Sequence, residues 1–219
     1  MRTDELIVAL ARAAHPVRPL PRPSLRLARW TAAIVPVTAL AAVVIGLRAD
    51  VSSAITEPAF IGIAVATLAT ALISAASVLV LSIPGAERSI VQRAVPLSMC
   101  GLWALALGVL LARGGDPLQR LLVWPLHWLC VIEITALGIV PALALFTMLR
   151  RAAPLRRYWS AALATLASVA IGAAATQFIC PLDDPAHQLV GHVVPVAVLS
   201  VLGALAGSRY LGFYSRAEL

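Results

Sequence analysis

Chemistry in this apolar chain rests on a few residues: Cys100, Cys130 and Cys180, the histidines His127, His187 and His192, and one carboxylate, Glu133. His127, Cys130 and Glu133 form an H-x-x-C-x-x-E run. On a helix the i, i+3 step puts His127 and Cys130 on one face, with Glu133 drifting sideways. Thiols and imidazoles in one place support two chemistries, and the residues leave the choice open. In an oxidising compartment thiols cycle between dithiol and disulfide. As thiolates beside imidazoles they form a soft S/N donor set suited to a metal ion such as Zn or Cu. The bland alternative is that membrane cysteines are small apolar packers.

These residues must be held by an unusually apolar frame. Of 219 residues, 61% are hydrophobic and 12% charged, against roughly 45–50% and 25% in soluble domains. Such a composition disfavours soluble enzymes, DNA-binding modules and secreted disulfide scaffolds. Six stretches are long enough to cross a hydrocarbon core: Trp30–Leu47, Ala59–Ile83, Ala94–Ala112, Leu121–Leu149, Tyr158–Cys180 and Leu189–Ser208. They are apolar all round and lack strand alternation, so the expected fold is an all-α integral membrane protein with six transmembrane helices. The chain then divides into a head helix over residues 1–15, a Pro/Arg-rich linker over 16–29, the bundle over 30–208 and a tail over 209–219.

All seventeen basic residues are Arg. Fourteen fall in the head, the second and fourth loops and the tail, whereas the opposite loops hold only Arg48, Arg113 and Arg120. The positive-inside rule therefore predicts that both termini are cytoplasmic. It also explains the net charge of +7 without direct nucleic-acid binding. The first apolar run follows six arginines and is long enough to span, which predicts a retained helix rather than a cleaved signal. Trp30, Tyr158 and Trp159 suit interfacial anchors.

Helix rise gathers the reactive side chains. At about 1.5 Å per residue, Cys130 lies about 28 Å up the fourth span, His127 about 33 Å, and Cys180 about 30 Å up the fifth. His187 and His192 flank the start of the sixth. Five groups therefore collect at the outer rim, and Glu133 sits one turn deeper. A carboxylate at that depth is costly and usually functional, either protonated or paired with a neighbour such as Gln177. His187 and His192 are five apart, about 140° on an ideal helix, so they converge only if His187 lies in the loop. Cys100 lies only about 9 Å from the inner side and is expected to pack. The Gly203–Gly207 G-x-x-x-G pattern predicts tight packing within the bundle.

Outside the spans, only the head is sizeable. Residues Thr3–Ala14 predict a helix with Thr3 as N-cap and Asp4 and Glu5 in the first turn, where the helix dipole favours acid. Leu6, Ile7, Leu10 and Ala14 make one apolar stripe. Pro16, Pro19, Pro21 and Pro23 favour an extended spacer. A helix this short is marginal alone in water, so a groove on a cytoplasmic partner, the lipid bilayer or the bundle itself must cover the stripe.

The opening Arg2-Thr3-Asp4-Glu5-Leu6-Ile7, the Pro/Arg spacer, the six spans and the late Cys180-Pro181-Leu182-Asp183-Asp184-Pro185-Ala186-His187 segment resemble the NrsF-like family of bacterial membrane anti-sigma factors. The resemblance implies a multi-pass protein of the bacterial inner membrane. Its head would hold an extracytoplasmic-function (ECF) sigma factor inactive, with Leu6, Ile7 and Leu10 as anchors and Arg2, Thr3, Asp4 and Glu5 beside them. It further implies sensing of metal or oxidant stress through two cysteines, matched here by Cys130 and Cys180. Two rivals are a membrane thiol–disulfide oxidoreductase, which would want a second cysteine pair, and a small metal transporter, which needs polar groups through the midplane. No nucleotide-binding loop, nucleophile elbow or H-E-x-x-H motif is present, so no enzyme activity is expected.

Overall fold

Lipid offers backbone groups no hydrogen-bond partners, so a spanning chain must satisfy them within each segment. The computed structural model describes residues 2–13, 19–115 and 128–213, and all regular elements among them are helical. The head helix α1 spans Thr3–Ala13. Then come α2 (Pro23–Ile45), the short α3 (Val51–Ala54), α4 (Pro58–Leu81), α5 (Val91–Arg113), α6 (Trp128–Arg150) and α7 (Arg157–Thr176). The last span opens as α8 (Pro185–Gln188), widens into a π-helical turn over Leu189–Val193, and continues as α9 (Val194–Phe213). Six helical segments are long and apolar enough to cross a membrane.

The helix α7 is the axis of the bundle. In its most apolar window 78% of residues are buried, against 22% in α2 and α5. Its sequence explains the position: Ser160, Ala161, Ala164, Ala167, Ser168, Ala170, Gly172, Ala173 and Ala174 are all buried. Small side chains let neighbouring backbones approach, which is how helices associate where lipid is as apolar as leucine. The tightest approach is between α6 and α7. A Cβ on Gly172 would collide with the carbonyl oxygen of Ile134, and one on Gly138 would lie 3.3 Å from the Ser168 oxygen. Gly203 and Gly207 do the same for α9, against Thr165 and Phe146. The G-x-x-x-G face is thus covered from within the chain, and Cys100 packs against the core.

Several boundaries differ from those read in the sequence. The expected linker over 16–29 gives way to helix at Pro23, because proline is compatible with the first helical position. Of that linker, residues 19–22 are non-helical and 16–18 lie outside the described residues. Arg26, expected in the linker, is buried. It donates to Ser82 Oγ (2.9 Å) and to the Met148 carbonyl (3.0 Å), at the C-terminal ends of α4 and α6, where helix dipoles favour a cation. Trp30 is not an interfacial anchor: it is 1% exposed, and its indole N–H donates to the Pro141 carbonyl at 3.1 Å. The fifth span ends at Thr176, leaving Cys180 beyond the helix, while the sixth begins at Pro185 and absorbs the first part of the expected tail.

The head also starts differently. Leu6 N–H donates to the Arg2 carbonyl, and Glu5 accepts from Arg2 N–H at 3.0 Å. Arg2 is therefore the N-cap and Thr3 the first helical residue; Glu5 supplies the returning half of a capping box. Ala14 of the predicted stripe lies outside the described residues.

Because the α6–α7 seam has no room for a methyl group, Gly172→Ala should destabilise the bundle by about 1–3 kcal/mol, the usual cost of overpacking. Denaturant unfolding in detergent should show this, and Gly101→Ala, whose added Cβ meets open space, should not.

Candidate functional site

The seam that brings α6 against α7 also fixes the positions of two thiols. Cys130 is in the first turn of α6. Cys180 follows α7, its N–H donating to the Thr176 carbonyl at 2.7 Å before Pro181 ends the turn. Their sulfurs are 3.7 Å apart and both cysteines are unbridged. A disulfide would require the sulfurs to close to about 2.05 Å.

Two imidazoles complete the cluster. His187 Nε2 lies 3.6 Å from Cys130 Sγ and 3.4 Å from Cys180 Sγ. The His187 and His192 rings meet edge to face, with centroids 5.5 Å apart. His187 is helical here, not in the loop. The expectation that a helical His187 could not meet His192 assumed an α-helix throughout. The π turn over Leu189–Val193 bonds i to i+5, so residues five apart come round to one face. Gly191 makes room for the arrangement: a Cβ there would lie 3.1 Å from His187 Cε1. Cys130, Cys180, His187 and His192 are all buried and offer four donor atoms within 4.8 Å of one another. With Zn–S near 2.3 Å and Zn–N near 2.05 Å, a tetrahedral site has S···S edges of about 3.8 Å and S···N edges of about 3.5–3.6 Å. The 3.7, 3.6 and 3.4 Å separations here are close to those edges.

Other expected members stand apart. Glu133 is half-buried one turn along α6, outside the donor set. It does not pair with Gln177, whose amide instead donates to Thr67 Oγ1 at 3.0 Å. His127 lies outside the described residues.

The sequence reading counted Arg48 only as a topology marker. Its side chain is 2% exposed, between Asp50 and Asp183. Nε and Nη2 donate to the two Asp50 oxygens at 2.7 and 2.8 Å. Nη1 and Nη2 donate to the two Asp183 oxygens at 2.7 and 2.5 Å, and Nη1 also reaches the Cys180 carbonyl at 3.3 Å. A lone Arg on the arginine-poor side, facing Asp50 and the Asp183-Asp184 doublet, was the available signal. Asp184 itself caps α8, accepting from Ala186 N–H at 2.8 Å, and Gln188 donates to the Leu182 carbonyl. The loop carrying Cys180 is therefore pinned from three directions.

In the chain the head precedes the N-terminal end of α2, the end away from Arg48. Arg2, Thr3, Asp4, Glu5, Leu6, Ile7 and Leu10 are all exposed, and α1 buries none of its residues. Leu6, Ile7 and Leu10 are 42%, 58% and 62% exposed.

A six-span helical membrane protein with a buried thiol–imidazole cluster and an exposed amphipathic helix ahead of its first span is the class these features define. Within that class the chain belongs to the NrsF family, described as negative regulator of sigma F, which matches residues 10–213. No curated protein and no solved structure matches the chain.

The guanidinium of Arg48 holds the Asp50 carboxyl below its ordinary value, chiefly through their hydrogen bonds. A depressed carboxyl contributes stability above its unfolded pKa of about 3.9 and loses it as pH falls through the lower folded value. The difference in unfolding midpoint between the wild type and Asp50→Asn should therefore be flat from about pH 8 to 5 and shrink below about pH 4.

Proposed function

We propose that this chain is an anti-sigma factor that sequesters an ECF RNA polymerase sigma subunit at the bacterial inner membrane through α1. Membership of a family of negative regulators of sigma F supports the partner class. The observation that carries the reading is the exposed stripe of Leu6, Ile7 and Leu10 on a helix that buries nothing against its own bundle. Eleven residues do not make a stable helix in water, and a hydrophobic groove on a protein partner would supply the missing burial. Asp4 and Glu5 would meet basic groups beside that groove, with Arg2 and Thr3 at its edge. The arginine distribution supports placing both termini in the cytoplasm, with the sigma factor. The same distribution supports placing the cluster at the periplasmic rim.

We further read that cluster as the sensor. Two thiolates and two imidazoles, with the Cys130, Cys180 and His187 donors already near tetrahedral spacing, suit Zn or Cu, and the same thiols can be oxidised to a disulfide. A disulfide would draw the sulfurs from 3.7 Å to about 2.05 Å, and an ion would draw in donors that now lie up to 4.8 Å apart; either event would change how α6, the Cys180 loop and the last span pack, releasing the sigma factor under metal or oxidant stress.

A head peptide covering residues 2–14 should recover a sigma subunit from cell extract, and Leu6→Asp with Leu10→Asp should abolish recovery. Equal recovery by the double variant would refute the groove model. For the cluster, the purified full chain should bind one Co(II) with thiolate-to-metal absorption. Cys130→Ser or His192→Ala should weaken that binding at least tenfold, whereas Cys100→Ser should leave it unchanged.

A further inference from the structure

Resting on the sensor reading above, we propose that Arg48 is the positioning residue that couples the thiol–imidazole cluster to α2, the helix from which the head hangs. Arg48 follows the last helical residue of α2, Ile45, by three positions, with only Gly46 and Leu47 between them. Its backbone N–H donates to the Phe178 carbonyl at 3.0 Å, and its side chain binds the Cys180 carbonyl and Asp183. Phe178, Cys180 and Asp183 all belong to the segment that carries one thiol. Phe60 lies beneath the guanidinium at 5.7 Å and packs edge to face on Phe178, so the anchorage is stiff.

The other end of α2 is bound to the element that carries the second thiol. Trp30 donates to the Pro141 carbonyl and Arg26 to the Met148 carbonyl, both on α6 with Cys130. The helix therefore bridges the two cysteine-bearing parts, one at each end. If a bound ion or a disulfide changes how Cys130 and Cys180 sit relative to each other, α2 cannot keep both sets of bonds. The cluster's grip acts through the saturated Arg48 fork, whereas each head-side link is a single donor or a pair. The head-side bonds give way first. Arg26 and Trp30 stand within the first eight residues of α2, so their release reaches the chain that leads to α1.

A buried Arg with two carboxylates also has a plain structural role, stapling two loops. The roles separate by measuring the cluster and the far end of α2 together. The full chain in lipid nanodiscs is treated with Cd(II) alone, its binding read by thiolate-to-metal absorption, or with diamide, the Cys130–Cys180 disulfide read by mass spectrometry. Amide hydrogen exchange is followed over residues 23–33. In the wild type, occupancy of the cluster should speed exchange there by about tenfold, as expected for losing a hydrogen bond from a charged donor. Arg48→Gln should take up Cd(II) or form the disulfide to the same extent, yet show no change at residues 23–33. Asp183→Asn, which keeps the Asp50 partner, should also blunt the response and serves if Arg48→Gln fails to insert. An occupied cluster with unchanged exchange in the wild type would overturn the coupling alone, as would a full response in both variants. A cluster that takes neither Cd(II) nor a disulfide would overturn the sensor reading and this inference with it.

Discussion

The structure depends on how closely α6 and α7 approach. Lipid gives helices no hydrophobic reason to associate, so the contact is made by backbone against backbone at Gly138 and Gly172. That approach sets the distance between Cys130, at the start of α6, and Cys180, just past the end of α7. Three ångströms more between the axes would put the sulfurs beyond reach of one ion or of each other. The alanine and serine content of α7 looks unremarkable as composition, yet it decides whether the reactive groups meet.

Several of the polar groups buried in this bundle have a plain structural task. Buried threonines and serines such as Thr67, Ser74 and Ser168 return their hydroxyls to the carbonyl one turn back. Arg26 and Arg48, the two buried arginines among the described residues, reach instead across to other helices and loops. They sit near opposite ends of α2, which with α5 is the least buried of the described spans. A peripheral helix held mainly by directed bonds at its ends differs from one embedded by packing along its length. The first is released by breaking a few bonds; the second requires repacking the core.

Much of this was legible in the sequence, and the exceptions share a cause. The six spans followed from apolar length, because the bilayer imposes a minimum on every crossing. Helix rise gathered Cys130, Cys180, His187 and His192 at one end, together with His127, which lies outside the described residues. The way the two histidines converge did not follow from it, since a helical wheel assumes 3.6 residues per turn and the chain departs from that over Leu189–Val193. The burial of Arg26, Arg48 and Trp30 was not legible for a related reason. Arginines and tryptophans near span ends serve as statistical markers of the membrane surface, and such markers say nothing of a carbonyl waiting on another helix. Glu133 drew notice for its depth, but depth alone does not bring a side chain to a site.

On the proposed function, the early start of α2 limits where a protein captured by α1 would stand. With helix resuming at Pro23 and α1 ending at Ala13, nine residues separate the two. Even fully stretched, that tether reaches only about 35 Å. A ligand of α1 is thus confined to a shallow layer beside the bilayer, within about one small-domain diameter of the anchor. At such range its local concentration near each anchor is high, so modest intrinsic affinity would suffice for retention once a second weak contact forms.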